Sequence, residues 1–267
     1  MIKIGGVPEH FNFPLKQAIE KHENISWVDC PGGSGEMKEK LDNKSLNAAI
    51  ILTEGAVNAF QSNNDLYIVG EYVSSPLRWG IFSHPDNEDA YELNSQEELL
   101  VSRLGSGSHL IPFAQAFFSD KSYSPNIKVI KNLDGALEHF NTHKKGLFYW
   151  EEVTTSPWVK SGQLKQIGVY PTPWPCFVML ANNLETKKEL TRVLEEAKKI
   201  SDELKSTPEK SITEISKVYG IEQEKVRFWF NRVEWQQNKL SQKQLDGIGE
   251  VLKEQKLISG SYKRLII

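Results

Sequence analysis

The sequence predicts an α/β fold of two units, and three observations carry that prediction. Short apolar runs alternate with amphipathic stretches from the first residue onward. A polar break, His84-Pro-Asp-Asn-Glu-Asp-Ala90, interrupts the alternation, which then restarts over residues 95–150. A proline and aromatic cluster, Val169-Tyr-Pro-Thr-Pro-Trp-Pro-Cys176, finally leads into the buried-looking run Phe177-Val-Met-Leu-Ala181. Alternation of this kind builds βαβ units around a mainly parallel sheet.

In the first unit strands are expected near 2–7, 25–29, 48–52 and 66–73, and helices near 13–22, 35–43 and 54–63. Pro14 suits a first helical turn, where a missing N–H is no loss. Gly35-Glu36 opens the second helix behind Pro31-Gly-Gly-Ser34, and Thr53-Glu54 caps the third. Leu77-Arg-Trp-Gly-Ile-Phe-Ser83 is a further run, ended by the polar break. The second unit is expected to run strand 100–104, helix 107–119, strand 127–131, helix 133–142 and strand 146–151. From residue 184 the pattern turns helical: Leu190, Val193, Leu194, Ala197 and Ile200 share one face, and two or three shorter helices follow.

The 267 residues suffice for one large domain or two modest lobes, and 39% apolar with 25% charged residues is ordinary for a globular chain. A formal net charge of −3 with both signs scattered provides no sequence-wide attraction to nucleic acid or anionic membrane. No run approaches the ~20 apolar residues of a membrane span. The opening Met-Ile-Lys-Ile-Gly-Gly-Val7 lacks the apolar core of a secretory leader, so the expected location is cytoplasmic, or periplasmic or lipid-anchored where a leader has been removed. Cys30 and Cys176 are too few for a disulfide framework and lack metal-ligand spacing; they read as packed thiols, and no metal or cofactor is expected.

The strongest local signal is Leu99-Leu-Val-Ser-Arg-Leu-Gly-Ser-Gly-Ser-His-Leu-Ile-Pro-Phe113, an apolar run that stops at small residues just before a helix. Such a turn points free N–H groups and a positive helix end at one spot, which suits an anion. Ser106, Gly107, Ser108 and His109 are the candidate residues; the plainer reading is a capped helix start whose serines satisfy only their own backbone. Gly32-Gly-Ser-Gly35 lacks a following lysine and the dinucleotide spacing, so it reads as a tight turn. Glu54 and Glu151 each end a strand, and facing a shared cleft they would select a cationic or protonated group. Alternatively they are solvated, one serving its own helix end. Trp79, Trp150 and Trp174 stand at strand ends or crossings, where a planar ring stacks on a flat ligand or simply fills the core; Pro173 and Pro175 hold the backbone of Trp174.

The order of Gly5-Gly6-Val7-Pro8, Leu52-Thr53-Glu54-Gly55, Ser102-Arg-Leu-Gly-Ser-Gly-Ser-His109 and Trp174-Pro-Cys-Phe177 resembles the type II periplasmic-binding-protein fold. The likeness is to its nitrate-, sulfonate- and taurine-binding and thiamine-pyrimidine subfamily, and particularly to members without export signals. It spans the chain to about residue 205. The resemblance implies a discontinuous first lobe, 1–78 plus 179–267 with C-terminal helices, and a second lobe, 84–172, joined by crossing hinge strands near Arg78–Ser83 and Tyr170–Phe177. It further implies a ligand-binding set of Gly6, Pro8, Thr53, Glu54, Trp79, Ser106, Gly107, Ser108, His109, Glu151 and Trp174. The implied function is solute binding: the cleft between the lobes closes on a small anion-bearing organic molecule, a sulfonate, a carboxylate or a thiamine-precursor-like compound. The protein would serve an ABC permease when exported and act in sensing or sequestration when not. The alternative is an enzyme of thiamine-pyrimidine-type biosynthesis, but the cysteine-rich segment of those relatives is missing here.

Residues 212–232 mimic a helix-turn-helix with a homeodomain-like ending, yet Asn231 directly follows Phe230. That register is one residue short and turns the base-reading face by ~100°. Between 207 and 256 nine Lys/Arg meet eight Asp/Glu, not the basic stripe that phosphates require. The segment is therefore expected to be a helical extension burying Phe228, Trp229 and Trp235 against the first lobe, with no nucleic-acid partner.

Overall fold

The computed structural model describes residues 1–63, 65–235 and 242–256. The chain forms two compact units and, among the described residues, passes between them at Pro76/Leu77, at Pro173/Trp174 and at Asp246/Gly247.

Unit 1 opens with β1 (Ile2–Gly6), a 3-10 turn (His10–Asn12) and α1 (Phe13–Ile19), then β2 (Ile25–Asp29), α2 (Gly33–Asp42), β3 (Ala48–Leu52), α3 (Thr53–Ser62) and β4 (Tyr67–Val73). Unit 2 holds β5 (Arg78–Ser83), β6 (Glu98–Val101), α4 (Gly107–Phe118), β7 (Asn126–Val129), α5 (Leu133–Thr142), β8 (Leu147–Glu151), α6 (Glu152–Lys160) and β9 (Lys165–Pro171). The chain then returns to unit 1 with β10 (Phe177–Ala181), α7 (Leu184–Ser206), α8 (Pro208–Tyr219) and α9 (Gln223–Phe230), and ends its described part in α10 (Gln242–Glu254).

The two sheets share one plan. Unit 1 has the order β2-β1-β3-β10-β4 and unit 2 the order β7-β6-β8-β5-β9. In each, the first three strands are parallel and the fourth, the strand that follows a crossing, runs the other way. The fifth strand is antiparallel to the fourth and so rejoins the common direction. The expected parallel sheet therefore holds for all but one strand of each. β3 and β10, covered on both faces, are apolar throughout, as central strands of such sheets must be. β5, read as a crossing from the sequence, is an inner strand of unit 2.

Two elements escaped the sequence pattern. α6 contains four β-branched residues and Pro157, which hide helical periodicity. β9 is half-buried along most of its length and shows no clean alternation. The C-terminal helices differ from expectation in two respects. The described part of α10 from Gly247 groups with unit 2 rather than with the first lobe, and the Gly247 backbone lies against the Phe118 ring at the end of α4. Phe228 is not buried: it is 39% exposed under the Arg232 guanidinium, and the inward aromatic of that turn is Phe230.

Trp229 and Trp235 are buried against the start of unit 1, as expected. Trp229 meets His10 (4.2 Å between ring centroids), Phe11 (5.3 Å) and Trp235 (5.5 Å), all edge to face. Trp235 Nε1–H and Tyr72 Oη–H both donate to the carbonyl of Phe11 (3.0 and 2.8 Å), tying the loop after β1 to β4 and the C-terminal extension. Burial among these rings holds the His10 imidazole down at about 4. The unfolded chain binds that proton near 6.5, so His10 stabilises the fold above about 6.5 and the contribution is lost as pH falls toward about 4. The expected outcome is that His10→Phe flattens the acid side of the stability profile in urea titrations at a series of pH values; an unchanged profile would exclude His10 as its source.

Candidate functional site

In unit 2, β6 leads through residues 102–106 into α4. Gly105 turns with φ +77°, a left-handed conformation that favours glycine. Ser106 is the extended residue before α4, but its hydroxyl donates backward to Arg103 O (2.7 Å) instead of capping the helix. Ser108 Oγ accepts from Ser102 N–H (2.9 Å) and lies 3.0 Å from Ser106 Oγ and 3.3 Å from Ser102 Oγ. The hydroxyls thus cross-link their own turn, through Arg103 O and through one another, and neither caps α4. His109 Nδ1 accepts from Gly105 N–H (3.0 Å), which leaves the proton of the neutral ring on Nε2. Burial also lowers the pKa of His109 and keeps it neutral.

The N–H groups of Ser106, His109 and Leu110 are likewise bonded within the turn. Those of Gly107 and Ser108 have no acceptor among the described residues, so the positive end of α4 presents two open donors. Arg103, exposed in the same loop, is a cation that pattern reading passed over.

Trp79, on β5, pairs with Glu151 on β8 and Tyr170 on β9. Its ring lies on the backbone of Gly107: a Cβ there would stand 2.6 Å from Cζ2 and closer still to Cη2. Glu151 is the N-cap of α6, its carboxylate accepting from Val153 N–H (3.0 Å) and Thr154 N–H (2.7 Å). Burial raises its pKa, and these two bonds oppose the rise. Next to it, Glu152 binds Arg78 Nε at 2.7 Å.

In unit 1 the equivalent strand-to-helix turn runs from β3 into α3. Thr53 is locked to the returning chain, its N–H donating to Cys176 O (3.1 Å) and its hydroxyl to Pro175 O (2.5 Å). Glu54 is 3% exposed, and Trp174 Nε1–H donates to its Oε2 at 3.0 Å. Oε1 has no partner among the described residues. Desolvation pushes the carboxyl up to about 7, against the pull of its own N–H and of Trp174. Gly55 lets the first turn of α2 approach closely, with Ser34 Oγ 2.9 Å from where a Cβ would stand. Ser34 Oγ is buried with no partner among the described residues, so the small-residue loop read as a tight turn also brings a hydroxyl beside α3.

The predicted set thus gathers into two groups, Thr53, Glu54 and Trp174 in unit 1 and Trp79 with Ser106–His109 in unit 2. Glu151 is the strand partner of Trp79, and Gly6 and Pro8 stand apart. Gly6 ends β1 beneath the Trp27 ring, 2.7 Å from Cζ2 to a hypothetical Cβ, and accepts from Cys30 N–H; Pro8 is exposed. Gly6 makes room for a tryptophan of its own unit. Ser34, Trp27 and Arg103 were missed because neighbours supplied by the fold give them their meaning.

Comparison with known proteins places this architecture. A family model described as Ca3427-like PBP matches residues 79–170, within unit 2. A Candida albicans protein, CA3427, described as defining a new family with the generic periplasmic-binding-protein fold, superimposes with a TM-score of 0.84 at 24% identity over 98% of this chain and 92% of its own. The alkanesulfonate-binding protein SsuA of Xanthomonas axonopodis pv. citri, bound to MOPS, gives 0.78 at 15% identity over 97% and 94%. The aliphatic sulphonate-binding protein SsuA of Escherichia coli gives 0.74 at 15% over 100% and 91%. No curated protein matches the sequence. The chain has the periplasmic-binding-protein fold and carries C-terminal helices.

Proposed function

We propose that the protein is a solute-binding protein whose units close on a small anion-bearing organic molecule. The observation that carries this reading is the pair of backbone donors at Gly107 and Ser108 that stay open among the described residues, on a helix end whose serine hydroxyls and neighbouring N–H groups are already bonded. A sulfonate or carboxylate oxygen is the complement of such a turn. Sulfonate-binding neighbours of the same fold support the choice.

In this reading Ser106 and Ser108 hold the turn rigid, and neutral His109 offers its Nε2–H. In unit 1, Glu54, oriented by Trp174, is suited through its open oxygen to accept from a nitrogen or other donor of a ligand. Glu151 contributes by fixing α6. An exported form hands its ligand to an ABC permease; a cytoplasmic one senses or stores it.

The test is calorimetric titration with methanesulfonate, MOPS, taurine and short carboxylates. Ser106→Ala combined with Ser108→Ala removes the cross-links of the turn and is expected to weaken binding about tenfold or more. Equal affinity in the double variant, or no binding of any of these anions by the parent protein, would overturn the assignment.

A further inference from the structure

We propose that the indole N–H of Trp79 is a third anion donor of the α4 turn, so that this tryptophan grips the ligand's charged oxygen edge-on instead of stacking on its body. The inference rests on the anion-binding reading above and assigns a residue and a bonding mode to it.

Trp79 is 6% exposed, and its Nε1 is buried with no acceptor among the described residues. Other buried or bonded indoles have settled partners: Trp174 donates to Glu54, Trp235 to the carbonyl of Phe11 and Trp27 to Asp29. Trp229 also lacks an acceptor among the described residues, but its ring is enclosed by those of His10, Phe11 and Trp235. An orphaned donor inside a protein is uncommon and calls for a cause.

The position of the Trp79 ring supplies one. Its Cη2 and Cζ2 atoms lie against the backbone of Gly107, and Cζ2 stands 2.6 Å from where a Cβ would be. In an indole the N–H leaves from the same edge as Cζ2, one ring atom away. Gly107 meets the outer edge of the ring at Cη2 and Cζ2, and the orphaned N–H leaves the same ring two bonds from Cζ2, on the flank next to that contact. Gly107 and Trp79 form a matched pair, since any side chain at 107 would push this edge away.

The local acceptors are already used. Arg103 O, Ser106 O, Ser108 Oγ and His109 Nδ1 each accept a bond from within the turn. Among the described residues the donors left open here are those of Trp79, Gly107, Ser108 and His109 Nε2. Such a set fits an oxygen with no proton to offer, the ionised oxygen of a sulfonate or carboxylate.

The experiment is a titration of the full-length, nitrogen-15-labelled chain with methanesulfonate and, separately, acetate, followed by proton–nitrogen correlation spectra. The Trp79 indole signal is assigned through its proximity to the Gly107 protons. Its proton is expected to shift downfield and to saturate together with the Gly107 and Ser108 amides. Trp79→Phe, which keeps a ring and removes the N–H, is expected to bind about tenfold more weakly. Movement of the two amides with a stationary Trp79 indole would overturn this inference and leave the anion-binding turn intact. A titration in which none of the three signals moves with either anion would overturn both.

Discussion

Replacing Trp229 by alanine is expected to cost unit 1 about 4 kcal/mol, in the range found when a buried aromatic is truncated in a core. The ring is 5% exposed and is met edge to face by His10, Phe11 and Trp235, so no neighbour can collapse into the gap without breaking a second contact. The consequence extends beyond α9, because the same cluster holds the Phe11 carbonyl that Tyr72 and Trp235 share. Trp229→Phe should behave differently. The indole N–H has no acceptor among the described residues, so phenylalanine sheds a buried, unpaired donor along with some packing, and a loss of about 1 kcal/mol or less follows. Urea unfolding followed by circular dichroism separates the two variants. An alanine variant within about 1 kcal/mol of the parent would show that the C-terminal helices do not brace unit 1.

Glu54→Gln is expected to stabilise the ligand-free protein at about pH 8 and to leave it nearly unchanged at about pH 4. In the unfolded chain the carboxyl ionises near 4.5; in the folded one burial postpones ionisation to about 7. Between these values the folded state binds more protons than the unfolded, so stability falls as pH rises and the full loss is present above about 7. A shift of that size corresponds to on the order of 3 kcal/mol. Glutamine keeps the acceptor for Trp174 Nε1–H and removes the charge. The same change should weaken a ligand that places an ammonium or similar donor on Oε1, so stability is gained where binding is lost. Equal or lower stability of the variant at both pH values would refute the desolvated carboxylate.

Most of the fold was legible in residue order. The apolar runs at 25–29 and 48–52 became strands over those same residues, as did 177–181, and the helix at 133–142 matched in both bounds. These segments carry one dominant signal, a continuous apolar run or a clean helical stripe, which no neighbour needs to supply. α6 was illegible because its nucleus is a contact, the Glu151 carboxylate on two N–H groups, within a run rich in β-branched residues and proline. Phe228 and Phe230 differ by two positions on one helix, and which of them turns inward depended on where α9 met the rest of unit 1.

The candidate site divides along the same line. The small-residue turn at 105–109 is visible in sequence because glycine and serine at a strand-to-helix junction have few other uses there. The destination of each serine proton is not visible, and the structure routes them into the turn itself. Glu54 and Glu151 look alike as strand-ending acids, yet one keeps an unpaired oxygen and the other caps a helix. Residue order alone determined the α/β alternation, the two-unit plan and the place of the small-residue turn, since these follow from local apolar periodicity and backbone freedom. Tertiary structure alone decided which donors and acceptors stay open, because a hydrogen bond is satisfied by groups distant in sequence: Trp174 reaches Glu54 across 120 positions, and the Trp79 ring meets Gly107 only once β5 has entered the sheet.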